Sequence, residues 1–393
     1  MSADDLLSRG VDEIIVKSDL ENKLKEGGKL RVKYGIDPNK PDIHLGHAVP
    51  IRKLKAFQDL GHTAVFIVGD YTASIGDPSE KAKTREPVAK ALIKKNADAF
   101  FKEAFRILDK DKTEVHLQSE WFKDFDLNKI IEIGSKVSTQ QIMEHETFRK
   151  RLEENQPFMV HEIIYPLLQG YDSVAVKADV ELGGIDQKFN LLMGRQMQKA
   201  YGQPQQDVLM MKYLVGLDGE EKMSKSLGNY IAINEAPEEM YGKVMSIPDN
   251  LILHYFELCT DVTEDALKVI GEELKSGKKN PRDAKAELAK TIVEMYHSKD
   301  DAEKASEEFD RVFSRREKPK DIPEIKLEIS ECRMDDLLMK CELATSKSEA
   351  KRLLEQGAVE IEGETIIVPE EVVKIRDGMV VQVGKRRFVK IKR

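Results

Sequence analysis

Leu30-Arg31-Val32-Lys33-Tyr34-Gly35-Ile36 runs into Asp37-Pro38, then through Pro41-Asp42-Ile43-His44-Leu45-Gly46-His47 to Ile51-Arg52-Lys53-Leu54-Lys55-Ala56-Phe57-Gln58-Asp59-Leu60, and on to Thr63-Ala64-Val65-Phe66-Ile67-Val68. The first segment reads as a short buried strand. The second has helical spacing and stops at Gly61. The third is a continuous apolar run, the pattern of a parallel strand covered on both faces. Strand, crossover helix and strand define a βαβ unit. Pro50 is tolerable in the first turn of a helix, which sets the helix start close to His47.

Working outward, Glu86 to Leu108 is expected to be helical. Thr113 to Leu117, Val174 to Val180 and Val208 to Met211 are expected to be strands, and residues 11–28 an amphipathic helix ending at Gly27-Gly28. Strands alternating with helices over 30–235 predict an α/β fold with a doubly wound, Rossmann-like parallel sheet. Ligands bind such sheets beyond the carboxyl ends of the strands, where the His44–His47 and Gly76-Asp77-Pro78-Ser79 segments fall. From about Ala236 the texture becomes helical: Glu238–Met245, Thr263–Leu274, Pro281–His297 and Asp301–Phe313, with Asn280-Pro281 a capped start. Residues 318–330 are a charged, proline-bearing linker. Asp335–Cys341 and Ser346–Glu355 then read as helices, and Ala358–Ile361, Thr365–Val368 and Met379–Val383 as strands. The expected domains are 1–235 (α/β), 236–325 (all-α) and 331–393 (small α+β).

The chain has 393 residues, a net charge of -8, and three cysteines with no CxxC pair. No apolar run reaches the ~18 residues of a membrane span, and the acidic start Met1-Ser2-Ala3-Asp4-Asp5 is unlike a signal peptide. These features predict a cytoplasmic protein with neither a zinc site nor a disulfide framework. The acidic total argues against coating by nucleic acid. From Lys374 onward, however, Lys374, Arg376, Lys385, Arg386, Arg387, Lys390, Lys392 and Arg393 face only Asp377. Local charge governs contact with phosphates.

Two short motifs carry the chemistry. His44-Leu45-Gly46-His47 would, alone, fit a helix cap with two surface histidines. It also fits a phosphate cradle, with Gly46 admitting a nucleotide and both imidazoles donating at a helix N-terminus. Lys222-Met223-Ser224-Lys225-Ser226, between Leu217-Asp218-Gly219 and Gly228-Asn229-Tyr230, is a polar loop whose lysines are mobile point charges. In this order and separation the pair resembles the HIGH and KMSKS signatures of class I aminoacyl-tRNA synthetases. Tyr165-Pro166-Leu167-Leu168-Gln169-Gly170-Tyr171-Asp172 and Glu181-Leu182-Gly183-Gly184-Ile185-Asp186-Gln187 narrow the resemblance to the tyrosyl-tRNA synthetases, bacterial type with a C-terminal S4-like domain.

That resemblance implies tyrosine–tRNA ligase activity, with ATP as substrate, Mg²⁺ on its phosphates, tRNA(Tyr) and L-tyrosine as partners, and a homodimer through residues 120–165. His44, His47, Lys222 and Lys225 would be catalytic. Tyr165 and Gln169 would hold the substrate amino group with Asp77, Asp172 would accept from the phenol, and Gln187 would lie beside it. Asp37, Gly46, Gly184, Asp186 and Lys225 would bind ATP; Lys385, Arg386 and Arg387 would bind RNA; no residue is assigned to a metal. Lys33 stands where some branches carry a substrate-touching tyrosine, leaving open whether Tyr34 takes that role, and Glu80 stands where a glycine is usual, which bears on Lys81, Lys83 and Arg85. The rival readings are a tryptophanyl-tRNA synthetase, a small-molecule nucleotidyltransferase with an HxGH loop, and a non-catalytic RNA-binding paralogue.

Overall fold

The computed structural model describes residues 3–39, 42–78, 90–313, 322–384 and 387–393. The chain divides into two compact units, Met1–Ala302 and Glu303–Arg393.

The first unit is built on a six-stranded sheet: β1 (Val11–Ile15), β2 (Arg31–Ile36), β3 (Thr63–Val68), β4 (Thr113–Leu117), β5 (Val180–Gly184) and β6 (Asp207–Met211). Their spatial order is β1-β6-β5-β2-β3-β4. β2 to β6 are parallel, and β1 joins β6 antiparallel. Helices Leu45–Asp59, Lys90–Ala104, Val160–Val176 and Lys188–Ala200 lie in sequence between successive parallel strands. The chain therefore winds one way from β2 through β3 to β4, and the other way through β5 and β6. This is the expected doubly wound sheet, with its reversal between β2 and β5. β3 and β6 are buried almost throughout, which is why they read as unbroken apolar runs.

Three expectations need correction. Residues 11–28 are not one helix: Val11–Ile15 form β1, and only Lys17–Glu26 are helical. Antiparallel pairing with β6 covers a sheet edge, and Val16, at φ 58°, turns the chain sharply into the helix. Gly27 ends that helix at φ 73°, as its position suggested. Val174–Val180 is not a strand either. Val174 and Val176 complete the helix Val160–Val176, where Val174 packs with Leu167, Met193 and Met197, and the strand starts only at Val180. Packing has overridden β-propensity here. Finally, the helix carrying Pro50 begins at Leu45, so the proline is its sixth residue, beyond the first turn. Its missing N–H would have met the carbonyl of Gly46. The helix expected over Glu86–Leu108 runs from Lys90 to Ala104 among the described residues and gives way to turns at 105–108, while 86–89 lie outside the described residues.

Helices Pro237–Met245, Ile252–Cys259, Glu264–Lys275 and Pro281–Tyr296 follow. Asn280 caps the last of these, its side chain accepting from the Arg282 amide at 2.9 Å. Among the described residues no helix is long and apolar enough to cross a membrane.

The second unit has a five-stranded sheet in the order β10 (Glu364–Ile366), β9 (Val359–Ile361), β12 (Val380–Val383), β13 (Arg387–Lys392) and β7 (Glu324–Lys326). A smaller pair joins β11 (Val372–Lys374) to β8 (Glu331–Arg333). Helices Met334–Lys340 and Lys347–Glu355 pack Leu337, Leu338, Ala350 and Leu354 against Val359, Val381 and Ile391. Glu362 (φ 52°) and Gly363 (φ 91°) make the two-residue β9–β10 turn. The 318–330 stretch is more than a linker: Glu324–Lys326 forms a parallel edge strand against β13.

Candidate active site

The strand order reverses between β2 and β5, and open parallel sheets bind ligands beyond the carboxyl ends of the strands at such a point. Asp37 follows β2 and Asp186 follows β5.

His44 caps the helix Leu45–Asp59, its Nδ1 accepting from the His47 amide at 3.3 Å. That bond places the ring proton on Nε2, so His44 presents a donor. The two imidazoles stack with centroids 3.6 Å apart. Burial first, then Lys225 and Lys222, lowers the His44 pKa to about 3, and burial likewise holds His47 well below its usual value. Both rings are neutral at physiological pH: they serve as hydrogen-bond donors, not cations. A side chain at Gly46 would press within 3.1 Å of the His44 ring.

The lysine loop comes to the same place. His44 bridges Ala232, and the Leu45 amide donates to the Ile231 carbonyl at 2.9 Å. Met223 is buried, its amide donating to the Leu214 carbonyl at 2.8 Å. Asn229 ties the loop together. Its Oδ1 accepts from the Ser224 amide at 2.8 Å, and its Nδ2 donates to Asp218 and, at 3.3 Å, to the Lys222 carbonyl. Lys222 Nζ lies 2.6 Å from Asp186, and Lys225 Nζ lies 5.0 Å from the Phe100 ring centroid. The two motifs, about 175 residues apart, thus share one site, and Asp186 joins them to the end of β5.

The helix Val160–Val176 supplies the other wall. Tyr165 donates to Asp37 Oδ2 at 3.0 Å, while Asp37 Oδ1 accepts from Thr72 Oγ1 at 2.6 Å. Gln169 Oε1 is a buried acceptor with no hydrogen-bond partner among the described residues. Gln187 donates to Asp77 at 2.6 Å and accepts from Asn190 at 2.9 Å. A side chain at Gly184 would collide with Asp186. Asp172 is buried at the far end of the helix face. Its oxygens accept from Gln118 Nε2 at 2.7 Å and Trp121 Nε1 at 3.1 Å. Gln118 Oε1 accepts from the Tyr71 and Thr72 amides at 3.2 and 2.9 Å, which fixes the amide so that its NH₂ faces Asp172. Burial pushes the Asp172 carboxyl up to about 7, against the opposing pull of Lys33 and the Gln118 bond.

Reading the sequence missed Gln118, Trp121, Thr72 and Asn229, none of which sits in a recognisable spacing. The Tyr34 question has a geometric answer. Lys33 reaches the helix Val160–Val176 through Ser173, so neighbouring Tyr34 takes the opposite face of β2, beside Phe66 and away from Asp172. In the second unit Arg387 is exposed and donates to the Leu343 carbonyl at 2.8 Å, whereas Lys390 and Lys392 pair with Glu324. Lys385, Arg386, Ser79, Glu80, Lys81, Lys83 and Arg85 lie outside the described residues. No group of three or more His, Cys, Asp or Glu gathers as a metal cage among the described residues.

Comparison with known proteins agrees with this geometry. A family model described as tRNA synthetases class I (W and Y) matches residues 25–314, and one for a tyrosine–tRNA ligase SYY-like C-terminal domain matches 315–391. The tyrosine–tRNA ligase of Moorella thermoacetica is 47% identical over 390 residues, covering 98% of this chain and 94% of its own. That of Dehalococcoides mccartyi is 49% identical over 389 residues, 98% of each. Among solved structures, tyrosyl-tRNA synthetase from Archaeoglobus fulgidus, complexed with L-tyrosine, superposes with a TM-score of 0.62 at 26% identity, over 77% of this chain and 98% of that one. With near-half identity along almost its whole length, and the histidine and lysine motifs meeting where the sheet reverses, this chain belongs to the tyrosyl-tRNA synthetase family of class I aminoacyl-tRNA synthetases.

Proposed function

We infer that the protein is a tyrosine–tRNA ligase working in two steps. The tyrosine carboxylate attacks the α-phosphorus of ATP, an O–P bond forms, and the α–β bridge breaks to release pyrophosphate. A ribose hydroxyl of the 3′-terminal adenosine of tRNA(Tyr) then attacks the adenylate carbonyl, the new ester forms, and the carboxyl–phosphate anhydride breaks to release AMP. The meeting of His44, His47, Lys222 and Lys225 at the sheet's reversal point is the observation that carries the reading.

His44 and His47, neutral, would donate to phosphate oxygens without adding charge to the ground state. Lys222 and Lys225 would move onto the leaving pyrophosphate as its charge develops. Gly46 would admit the nucleotide, with Asp37, Gly184 and Asp186 along the adenosine side. Tyr165, Gln169, Asp77 and Gln187 would hold the amino acid, and Asp172 would accept from its phenol. Phenylalanine would leave that buried acceptor unpaired, a physical reason for rejecting it. An indole presents no hydroxyl there either, so the tryptophanyl reading is not favoured. Mg²⁺ would enter as the counter-ion of the ATP triphosphate, since no group of three or more His, Cys, Asp or Glu gathers as a metal cage among the described residues.

Residues 1–235 would catalyse, the helical region read as 236–325, less the β7 residues from Glu324 onward, would bind the anticodon, and the S4-like region 331–393 would bind RNA. Exposed Lys374, Arg376, Arg387 and Arg393 support the last assignment. A homodimer through residues 120–165 is supported by apolar side chains left in solvent there: Leu127, Ile131, Leu152 and Val160 are 58–76% exposed. The cytoplasm is the expected compartment. The test is charging of unfractionated tRNA with labelled tyrosine, tryptophan and phenylalanine. Tyrosine alone should be esterified; charging with tryptophan instead would overturn the reading.

A further inference from the structure

Beneath the amino-acid pocket lies a charged pair that the proposed chemistry does not use. Lys33 on β2 and Glu181 on β5 are direct cross-strand neighbours, 0% and 1% exposed. Lys33 Nζ contacts Glu181 Oε1 at 2.8 Å, Ser173 Oγ at 2.9 Å and the Gln169 carbonyl at 3.2 Å. All three ammonium protons are therefore engaged, and none remains for a substrate. The other Glu181 oxygen accepts from Ser173 Oγ at 3.1 Å and from Gln206. A buried ion pair is often no more stabilising than an apolar pair of similar volume.

The placement points to a purpose. Gln169 and Ser173 belong to the helix Val160–Val176 and lie on either side of Asp172. We propose that Lys33, balanced by Glu181, is a positioning residue for amino-acid selection: it pins the Gln169–Ser173 turn so that Asp172 meets the substrate phenol as an acceptor. Lys33 would thus act from behind the carboxylate. This rests on the reading of Asp172 as the phenol partner.

Electrostatics agree with the geometry. The charged groups acting on Asp172 are Lys33 from β2, which pulls its pKa down, and Glu181 from β5, which pushes it up with the smaller effect. Gln118 and Trp121, packed on the other side, are neutral donors. Removing the lysine charge should raise the pH at which Asp172 ionises. Removing the glutamate charge should lower it.

The experiment compares Lys33→Gln and Glu181→Gln in the full-length enzyme, following kcat/KM for tyrosine in ATP–pyrophosphate exchange against pH. The inflection should move up in Lys33→Gln and down in Glu181→Gln. A one-unit move changes tyrosine KM about tenfold below the inflection, with kcat changed less. A purely structural pair would give no shift, or shifts of one sign, and either result overturns the inference. Should the single variants fold poorly, the Lys33→Met/Glu181→Leu double variant replaces the pair with apolar groups. It should fold, yet lose tyrosine affinity and show the upward shift; wild-type tyrosine KM and pH profile in that variant overturn the inference. Asp172→Asn separates the two levels. If it leaves tyrosine selection intact, the phenol reading falls and this inference with it. If it abolishes selection while the pair's variants behave as wild type, only the role of Lys33 falls.

Discussion

Replacing Lys222 or Lys225 by alanine should slow adenylate formation while leaving tyrosine binding nearly unchanged. Lys222 rests on Asp186 at 2.6 Å with about half of its side chain in solvent. Such an exposed pair contributes at most ~1 kcal/mol, so losing it should not unfold the protein. On the reaction path the ammonium would exchange Asp186 for a pyrophosphate gaining negative charge. A full unit charge at about 4 Å and an effective dielectric near 20 interacts by ~4 kcal/mol. Only charge that develops between ground and transition state counts, so ~2–4 kcal/mol is the expected loss, or about 30- to 1,000-fold in rate. Lys225, held 5.0 Å from the Phe100 ring centroid, should behave alike. Single-turnover adenylate formation by rapid quench measures the rate, and equilibrium dialysis measures tyrosine affinity. Wild-type rates in both variants would refute the assignment. So would a loss of tyrosine affinity as large as the loss of rate, since that marks uniform binding.

Asp172→Ala should impair tyrosine activation and narrow the ratio of tyrosine to phenylalanine kcat/KM; an unchanged ratio would mean the phenol is read elsewhere. Adenylate formation should show no histidine inflection between about pH 6 and 8, because both rings stay neutral there. His44→Asn, which keeps a donor, should retain more activity than His44→Ala, and an inflection near 6.5 abolished by either change would contradict the neutral-donor role. With the folded His44 value at about 3, the unfolded chain takes up the proton first as pH falls below ~6.5. Stability should therefore drop between those values, and a His44→Asn melt series should show a shallower drop. A chain ending at Phe313 should still form adenylate but bind tRNA more weakly, with log affinity less steep in log salt by roughly 0.7–0.9 for each RNA phosphate that the C-terminal unit neutralises. Equal salt slopes with and without that unit would remove it from RNA binding.

The winding of the sheet was legible because β3 is an unbroken apolar run with clear ends, and the observed limits of β3 and β4 are those read from the sequence. β1 was not legible: Val11-Asp12-Glu13-Ile14-Ile15 has no strict alternation, and only pairing with β6, nearly 200 residues on, makes it a strand. Val174 and Val176 misled for the opposite reason: Val174 packs with Met193 and Met197, Val176 with Val65 and Ile67, and that burial keeps β-branched residues in a helix. The site splits the same way. Histidines, lysines and the Tyr165–Gln169–Asp172 face stand out because chemistry demands those types at those spacings. Gln118 and Trp121 are ordinary residues until the fold sets them against Asp172. Lys33 showed in the sequence as an oddity, but its counter-charge lies 148 residues away on a strand whose start was misplaced. β7 was hidden within a charged stretch and is visible only through its pairing with β13, so a C-terminal cut belongs before Glu324.

Amino-acid-dependent exchange of label between pyrophosphate and ATP, run with each amino acid in turn and no tRNA, asks directly whether this site makes tyrosyl-adenylate. Tyrosine should support rapid exchange, phenylalanine and tryptophan should support little, and the Lys222→Ala/Lys225→Ala double variant should support almost none. Exchange driven by another amino acid, or none with tyrosine in the folded wild-type protein, would contradict the assignment of this site to tyrosine activation.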